Sequence, residues 1–241
     1  MLLQVSNVTK KFGGLTALYR LSFDVQQGEI LGLIGPNGSG KSTIFNIIAG
    51  TFPSTEGSVK FDGQDITGLP ADAIAKRGIA RTYQAVRPFM ELTVIENVMA
   101  ACWYGDPSIT SRRQACERGY EVLEMVGLSR RANLHANQLN VMQRKWLEIA
   151  RALATSPKLL LLDEFMAGLN PSEIMLAVEF IQKLREHNMT VIVVEHIIKA
   201  ITSCSDRIVV LNAGQKIAEG APADVIRNPE VISAYLGSSH A

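Results

Sequence analysis

Residues 29–43 read EILGLIGPNGSGKST, and their reading decides the fold. Glu29–Gly35 is a short, almost wholly apolar run of strand length, and Lys41–Gly50 has the composition of a helix opening after a glycine-rich turn. Strand, glycine turn and helix begin a βαβ unit. Gly35-Pro36-Asn37-Gly38-Ser39-Gly40-Lys41-Ser42-Thr43 satisfies G-x-x-x-x-G-K-[ST], the P-loop. Each residue type has a chemical reason. Glycines let successive backbone N–H groups point into one concavity around a phosphate. The helix that follows offers its positive dipole end and its free amides. Lys41 can reach the β- and γ-phosphates, and the Ser42 hydroxyl suits Mg²⁺.

Outward from this motif the chain changes character three times. Before it, Leu2–Ser6 and Leu21–Val25 read as short strands, with Ser58–Phe61 as another after it, separated by the turns Gly13-Gly14, Gln27-Gly28 and Asp62-Gly63. From Thr93 to Arg131 the apolar spacing becomes helical, and Leu147–Leu153 continues a further helix. Buried strands return at Lys158–Asp163 (KLLLLD) and Thr190–Glu195 (TVIVVE), with a helix from Pro171 to Glu186 between them. Arg207–Leu211 and Lys216–Ala218 flank Asn212-Ala213-Gly214 as a terminal hairpin. Buried strands alternating with helices imply a parallel sheet covered on both faces. The expected class is therefore α/β: a P-loop NTPase core of RecA type, an N-terminal antiparallel β subdomain and an inserted helical subdomain. Residues 1–84 would carry the β subdomain and the P-loop part of the core, 85–155 the helical insertion, and 156–241 the rest of the core.

Composition narrows the function. With 241 residues, of which 47% are hydrophobic and 20% charged, the chain is globular rather than disordered. Lys plus Arg (24) nearly balances Asp plus Glu (23), and aromatics are 6%, so neither a bulk field nor a stacking platform for nucleic acid is expected. Three scattered cysteines, Cys102, Cys116 and Cys204, fit buried free thiols better than a disulfide framework or a zinc site. No apolar stretch reaches membrane-spanning length, and no secretory leader is evident at the start.

A P-loop alone does not separate kinases, GTPases, motors and transport ATPases. The four leucines Leu159–Leu162 running into Asp163-Glu164 are a Walker B arrangement, with Asp163 placed for Mg²⁺ and Glu164 for polarising an attacking water as general base. With these two sites in order, the sequence resembles the nucleotide-binding subunit of ABC transporters over essentially its whole length. The resemblance implies that Phe12 stacks on adenine, that Gln84 in Arg81-Thr82-Tyr83-Gln84 senses Mg²⁺ and the attacking water, that Ala167-Gly168-Leu169-Asn170 is the D-loop, and that His196 after Glu195 is the switch histidine. GGLTAL, RTYQAVRPFMELTVIENV, DEFMAGLNPSE, VEHIIKAI and the C-terminal VLNAGQKIAEGAPADVI resemble the branched-chain amino-acid importer branch. That likeness implies ATP and Mg²⁺ as ligands, a second ATPase subunit, identical or different, two membrane-spanning subunits and a periplasmic or extracellular binding protein. It also implies a peripheral place on the cytoplasmic face of the membrane, and Arg87, Pro88, Phe89 and Met90 as walls of the groove that receives a membrane-subunit helix.

The sequence departs from the family pattern at the signature. Where L-S-G-G-Q is usual, Leu139-Asn140-Val141-Met142-Gln143 stands. Asn140 remains a good N-cap, but loss of both glycines removes the easy approach of backbone to phosphate, and Met142 adds bulk. Either the segment still caps a partner's nucleotide, more weakly, or the chain is half of an asymmetric heterodimer, completing a poor site while owning a competent one. Phe165 and Asn170 replace proline and aspartate without removing a catalytic group. Transport of another substrate (urea, amides or lipid), a non-transport ATPase using the same clamp, and a largely regulatory ATP-binding module stay open as alternatives.

Overall fold

The computed structural model describes residues 1–82 and 88–236. In chain order the elements are β1 (Leu3–Phe12), β2 (Leu15–Val25), β3 (Ile30–Ile34), α1 (Lys41–Ile48), β4 (Glu56–Phe61), β5 (Gln64–Asp65), α2 (Ala71–Lys76), β6 (Ile79–Arg81), α3 (Val94–Gly105), α4 (Arg112–Met125), α5 (Val141–Ala154), β7 (Leu159–Asp163), α6 (Pro171–Glu186), β8 (Thr190–Val194), α7 (Ile198–Cys204), β9 (Arg207–Asn212), β10 (Gln215–Gly220), α8 (Pro222–Val225) and α9 (Pro229–Leu236). They form two compact units, one of Met1–Ile74 with Leu161–Ala241 and one of Ala75–Leu160.

The first unit holds an antiparallel sheet in the order β2-β1-β4-β5. Its first hairpin differs from expectation. β1 and β2 have 10 and 11 residues and run through Lys10, Lys11 and Thr16, where the sequence pattern predicted two short strands. The register slips between Val5 and Val8, next to Asn7 at φ 49°, so that Val5 and Val8 are both buried although three positions apart. Such a bulge breaks the two-residue alternation from which strands are read.

The same unit carries the core sheet, where β10, β9, β3, β8 and β7 are neighbours in that order. β3 pairs in parallel with β8 (Leu33 opposite Val194) and with β9 (Leu33 opposite Val209). Every residue of β3, β7 and β8 is buried, as parallel strands covered on both faces require. The carboxyl ends of these strands lead into the P-loop, Asp163-Glu164 and Glu195-His196, where ligands of open parallel sheets bind. The Arg207 guanidinium ties the far ends of the strands together, donating to Glu29 at 2.8 and 3.1 Å, to the Asp24 carbonyl at 2.6 Å and to Glu219.

The second unit is mostly helical. Capping boxes start its long helices: Thr93 with Glu96 at α3, Ser111 with Gln114 at α4, and Asn140 with Gln143 at α5. α5 therefore begins inside the signature segment, at Val141, six residues before the helix predicted at Leu147, and Asn140 is its N-cap, as its residue type suggested. Buried Asn97 holds the segment ahead of α3, its amide donating to the Phe89 carbonyl and its Oδ1 accepting from the Phe89 N–H. Among the described residues no helix is long and apolar enough to cross a membrane. Cys102 and Cys204 are buried free thiols; Cys116 is only partly covered, contrary to the expectation of three buried ones.

Candidate functional site

The P-loop leaves β3 at Gly35 and turns into α1 through Gly40. Gly40 has φ 105°, and a Cβ there would lie 2.5 Å from Leu18 Cδ2 and 2.9 Å from the Ala17 carbonyl oxygen. Only glycine takes that conformation without strain. No side chain caps α1, and no acidic residue stands in its first turn, so its leading amides and positive dipole end face the loop. The loop is braced from outside: the Gly214 N–H donates to the Ser39 carbonyl at 3.0 Å, and the Tyr19 N–H donates to the Gly214 carbonyl at 2.9 Å.

Lys41 is buried, 7% exposed, and its Nζ donates to the carbonyls of Gly35 (2.7 Å) and Pro36 (2.9 Å). Burial lowers the pKa of its ammonium, while the negative charges of Glu164 and Asp163 pull the other way. The lysine thus stands within the field of both acids. Asp163 ends β7 and is buried; Glu164 follows in a left-handed conformation, φ 47°, with its N–H donating to the Val194 carbonyl at the end of β8 (2.9 Å). A non-glycine residue held there stores strain of about 1–3 kcal/mol, a feature that concentrates at functional sites.

A cavity of about 490 Å³ opens over the loop. Phe12, Asn37 to Thr43 and Glu164 line it, bringing the predicted general base together with most of the predicted nucleotide-binding residues. Gly35 and Pro36 meet the lysine rather than the cavity wall. Asp163 reaches the site through its charge on Lys41. His196 does not line the cavity; its side chain is 56% exposed, with Nδ1 3.9 Å from Glu195 Oε2. The predicted D-loop, residues 167–170, leads into α6, where Asn170 Oδ1 accepts from the Glu173 N–H at 3.0 Å and Pro171 takes the first helical position. Buried Glu195 accepts from the Met166 N–H at 2.7 Å just ahead of that segment.

Leu139 to Gln143 lies in the other unit. Leu139 is buried, Val141 is 72% exposed, and Asn140 and Gln143 satisfy each other's backbone N–H at 2.8 and 3.1 Å. Gln84, with Tyr83 and Arg87 on either side of it, lies outside the described residues. Of the predicted groove, Pro88 is buried, while Phe89 and Met90 are exposed, with the Arg151 guanidinium 5.0 Å over the Phe89 ring. Sequence reasoning missed Leu15, Thr16, Ala17 and Ala213, which also line the cavity. The turns Gly13-Gly14 and Ala213-Gly214, and the likeness of GGLTAL and VLNAGQKIAEG to one family branch, were the signals that could have marked them.

A glycine-built phosphate cradle on the central parallel strand, facing a strand-end acid pair, puts the chain among the P-loop nucleotide-binding proteins of α/β fold. Its branch follows from the match of residues 18–167 to the ABC transporter family, to which the chain belongs. Residues 215–241 match a further family, described as branched-chain amino acid ATP-binding cassette transporter. The chain is similar, at 42% identity over 99% of its length and 98% of the relative's, to the high-affinity branched-chain amino acid transport ATP-binding protein BraF of Pseudomonas aeruginosa. Among solved structures it is similar to the ADP conformation of MJ1267, an ATP-binding cassette of an ABC transporter (TM-score 0.89, 33% identity, 98% of both chains). It is also similar to the dimeric post-hydrolysis state of the cassette MJ0796 bound to ADP and Pi (TM-score 0.82, 32% identity, 91% and 98%). Cassettes of this family bind nucleotide and are transport ATPases, and the chain is one of them.

Proposed function

We propose that the chain binds and hydrolyses ATP to power an importer of branched-chain amino acids. The observation that carries the reading is the single cavity onto which the P-loop, the aromatic Phe12 and the strand-end Glu164 all open. The names of the relatives supply the substrate class, and the match of the C-terminal residues 215–241 supports it.

In this reading the triphosphate lies along the amides of residues 38–43. Lys41 exchanges the Gly35 and Pro36 carbonyls for phosphate oxygens, so its binding replaces contacts already made rather than ordering a free side chain. Phe12 stacks on the base. The Glu164 carboxylate accepts the proton of the water that attacks the γ-phosphorus, as the bond to the ADP oxygen breaks. The oxygen donors Ser42, on the cavity wall, and buried Asp163, at the end of β7, fit a hard cation, and Gln84 would join them. Mg²⁺ held there would neutralise charge on the phosphates and the leaving oxygen.

A second cassette, identical or different, would complete the site by presenting its signature segment, while Leu139 to Gln143 of this chain would serve the partner's nucleotide. Two membrane-spanning subunits and an external binding protein would complete the importer, holding the cassette at the cytoplasmic face of the membrane. Exposed Phe89 and Met90 suit the contact with a membrane subunit, and exposed His196 is available to a γ-phosphate once the dimer closes.

Glu164→Gln tests the reading. It keeps the size of the side chain and removes the base, so turnover in the assembled transporter should fall by about 10²–10⁴-fold while ATP binding persists. Unchanged turnover would remove Glu164 from the reaction; lost binding would remove the cavity from nucleotide recognition.

A further inference from the structure

Phe12 is 46% exposed at the end of β1, yet it is not a loose side chain. Its ring meets that of Phe52 edge to face, with centroids 5.3 Å apart and planes at 86°. The Lys10 ammonium sits in the corner between them, 4.9 Å from the Phe12 centroid and 4.8 Å from that of Phe52. Lys10 is itself anchored, donating to the Pro53 carbonyl at 2.7 Å. Of these three side chains only Phe12 lines the nucleotide cavity.

We infer that Lys10 and Phe52 are positioning residues for the nucleobase, fixing the Phe12 ring and polarising it for stacking. This rests on the reading of Phe12 as the base platform. Two aromatic faces repel through their like quadrupoles unless offset, and a cation against one ring draws π density toward itself. The opposite face then becomes a better partner for an electron-rich purine. Phe52 adds the orientation: with its ring packed edge to face against Phe12, it limits the rotation of Phe12 and presents the platform already set.

The test uses the full chain with Mg²⁺ present and measures the Kd of ATP and of inorganic tripolyphosphate by calorimetry. Phe12→Ala, Phe52→Ala, Lys10→Met and Lys10→Arg are compared. Phe52→Ala and Lys10→Met should each weaken ATP about threefold to tenfold and leave tripolyphosphate unchanged, while Lys10→Arg, which keeps a cation, restores ATP affinity. In the Phe12→Ala background Lys10→Met should have no further effect on ATP, because its action passes through the ring. Equal weakening of both ligands by Lys10→Met would assign Lys10 a general charge effect and overturn the inference. So would full ATP affinity in both Lys10→Met and Phe52→Ala while Phe12→Ala is impaired. Unimpaired ATP binding by Phe12→Ala would instead overturn the platform reading itself. Should Phe52→Ala fail to fold, the two Lys10 variants and the double variant decide the matter.

Discussion

Alanine placed at three glycines of the first unit should separate backbone strain from crowding. Gly14 has no positive φ and nothing within 4 Å of an added Cβ; Gly38 has φ 77° and equally open space; Gly40 has φ 105° with Leu18 Cδ2 at 2.5 Å and the Ala17 carbonyl at 2.9 Å. Gly14→Ala should be neutral or slightly stabilising, since it only restricts the unfolded chain. Gly38→Ala carries the cost of a left-handed alanine, about 1–2 kcal/mol, less the gain in unfolded-state entropy. Gly40→Ala adds a clash that its neighbours cannot fully relieve. Leu18 can turn, but the Ala17 carbonyl belongs to β2, where both of its neighbours are paired with β1, Thr16 with Lys11 and Leu18 with Lys10. The sum is about 2–4 kcal/mol, equivalent to a fall in Tm of roughly 5–15 °C for a chain of this size. Thermal melting of the nucleotide-free protein gives the order, and ATP titration shows whether the start of α1 has moved. Equal melting of Gly38→Ala and Gly40→Ala would refute the crowding argument, and a Gly40→Ala protein as stable as its parent would refute the geometry of the turn.

Lys41, Asn140 and Cys204 each give a further measurable outcome. Lys41→Ala removes a cation whose bonds to phosphate oxygens are charge-assisted, about 1.5–3 kcal/mol, so the Kd for ATP should rise roughly 10- to 100-fold by calorimetry. Asn140→Ala removes the cap of α5 and should cost about 1 kcal/mol, seen as a drop in Tm of about 2–4 °C, whereas Asn140→Ser should not. Burial pushes the Cys204 thiol up from 9.0 to about 11. At pH 8 only about one molecule in a thousand carries its thiolate, so iodoacetamide should modify partly covered Cys116 first and leave Cys204 intact, as peptide mass mapping would report. Because the folded state holds that proton more tightly than the unfolded one, the contribution of Cys204 to stability is present below pH 9 and falls as the pH rises from 9 towards 11.

The strands that carry the site were readable because full burial leaves an unbroken apolar run: ILGLI, LLLLD and TVIVV need no alternation to be recognised. The P-loop was readable because its spacing is fixed by phosphate geometry. β1 and β2 were under-read because register shifts between Val5 and Val8 and between Val8 and Lys10 scramble the pattern, and because their outer ends are polar. The start of α5 was legible from Asn140, a good N-cap that Gln143 completes as a capping box, whereas the apolar spacing alone showed the helix only from Leu147. Thr16, Ala17 and Ala213 carry no chemical mark; their neighbours Tyr19 and Gly214, far apart in the chain, are joined by a backbone hydrogen bond. Phe12 could be singled out by its place before Gly13-Gly14, but its partners Lys10 and Phe52 could not, since only the folded chain brings residue 52 to β1.

These long-range bonds change the standing of the C-terminal hairpin. Ala213 and Gly214, at φ 45° and 78°, form the two-residue turn between β9 and β10 that right-twisted strands favour. Gly214 there serves both sides of the cavity: its N–H holds the P-loop at Ser39 and its carbonyl holds β2 at Tyr19. A Cβ on Gly214 would lie 2.7 Å from the Ala17 carbonyl oxygen, so the close approach itself demands glycine. The cradle is therefore not preformed by its own nine residues. β2, from the beginning of the fold, and the turn between β9 and β10, from its end, brace it through Gly40 and Ser39. A P-loop motif cut out with its strand and helix alone would lack the hydrogen bond at Ser39 and the packing at Gly40 that fix its conformation.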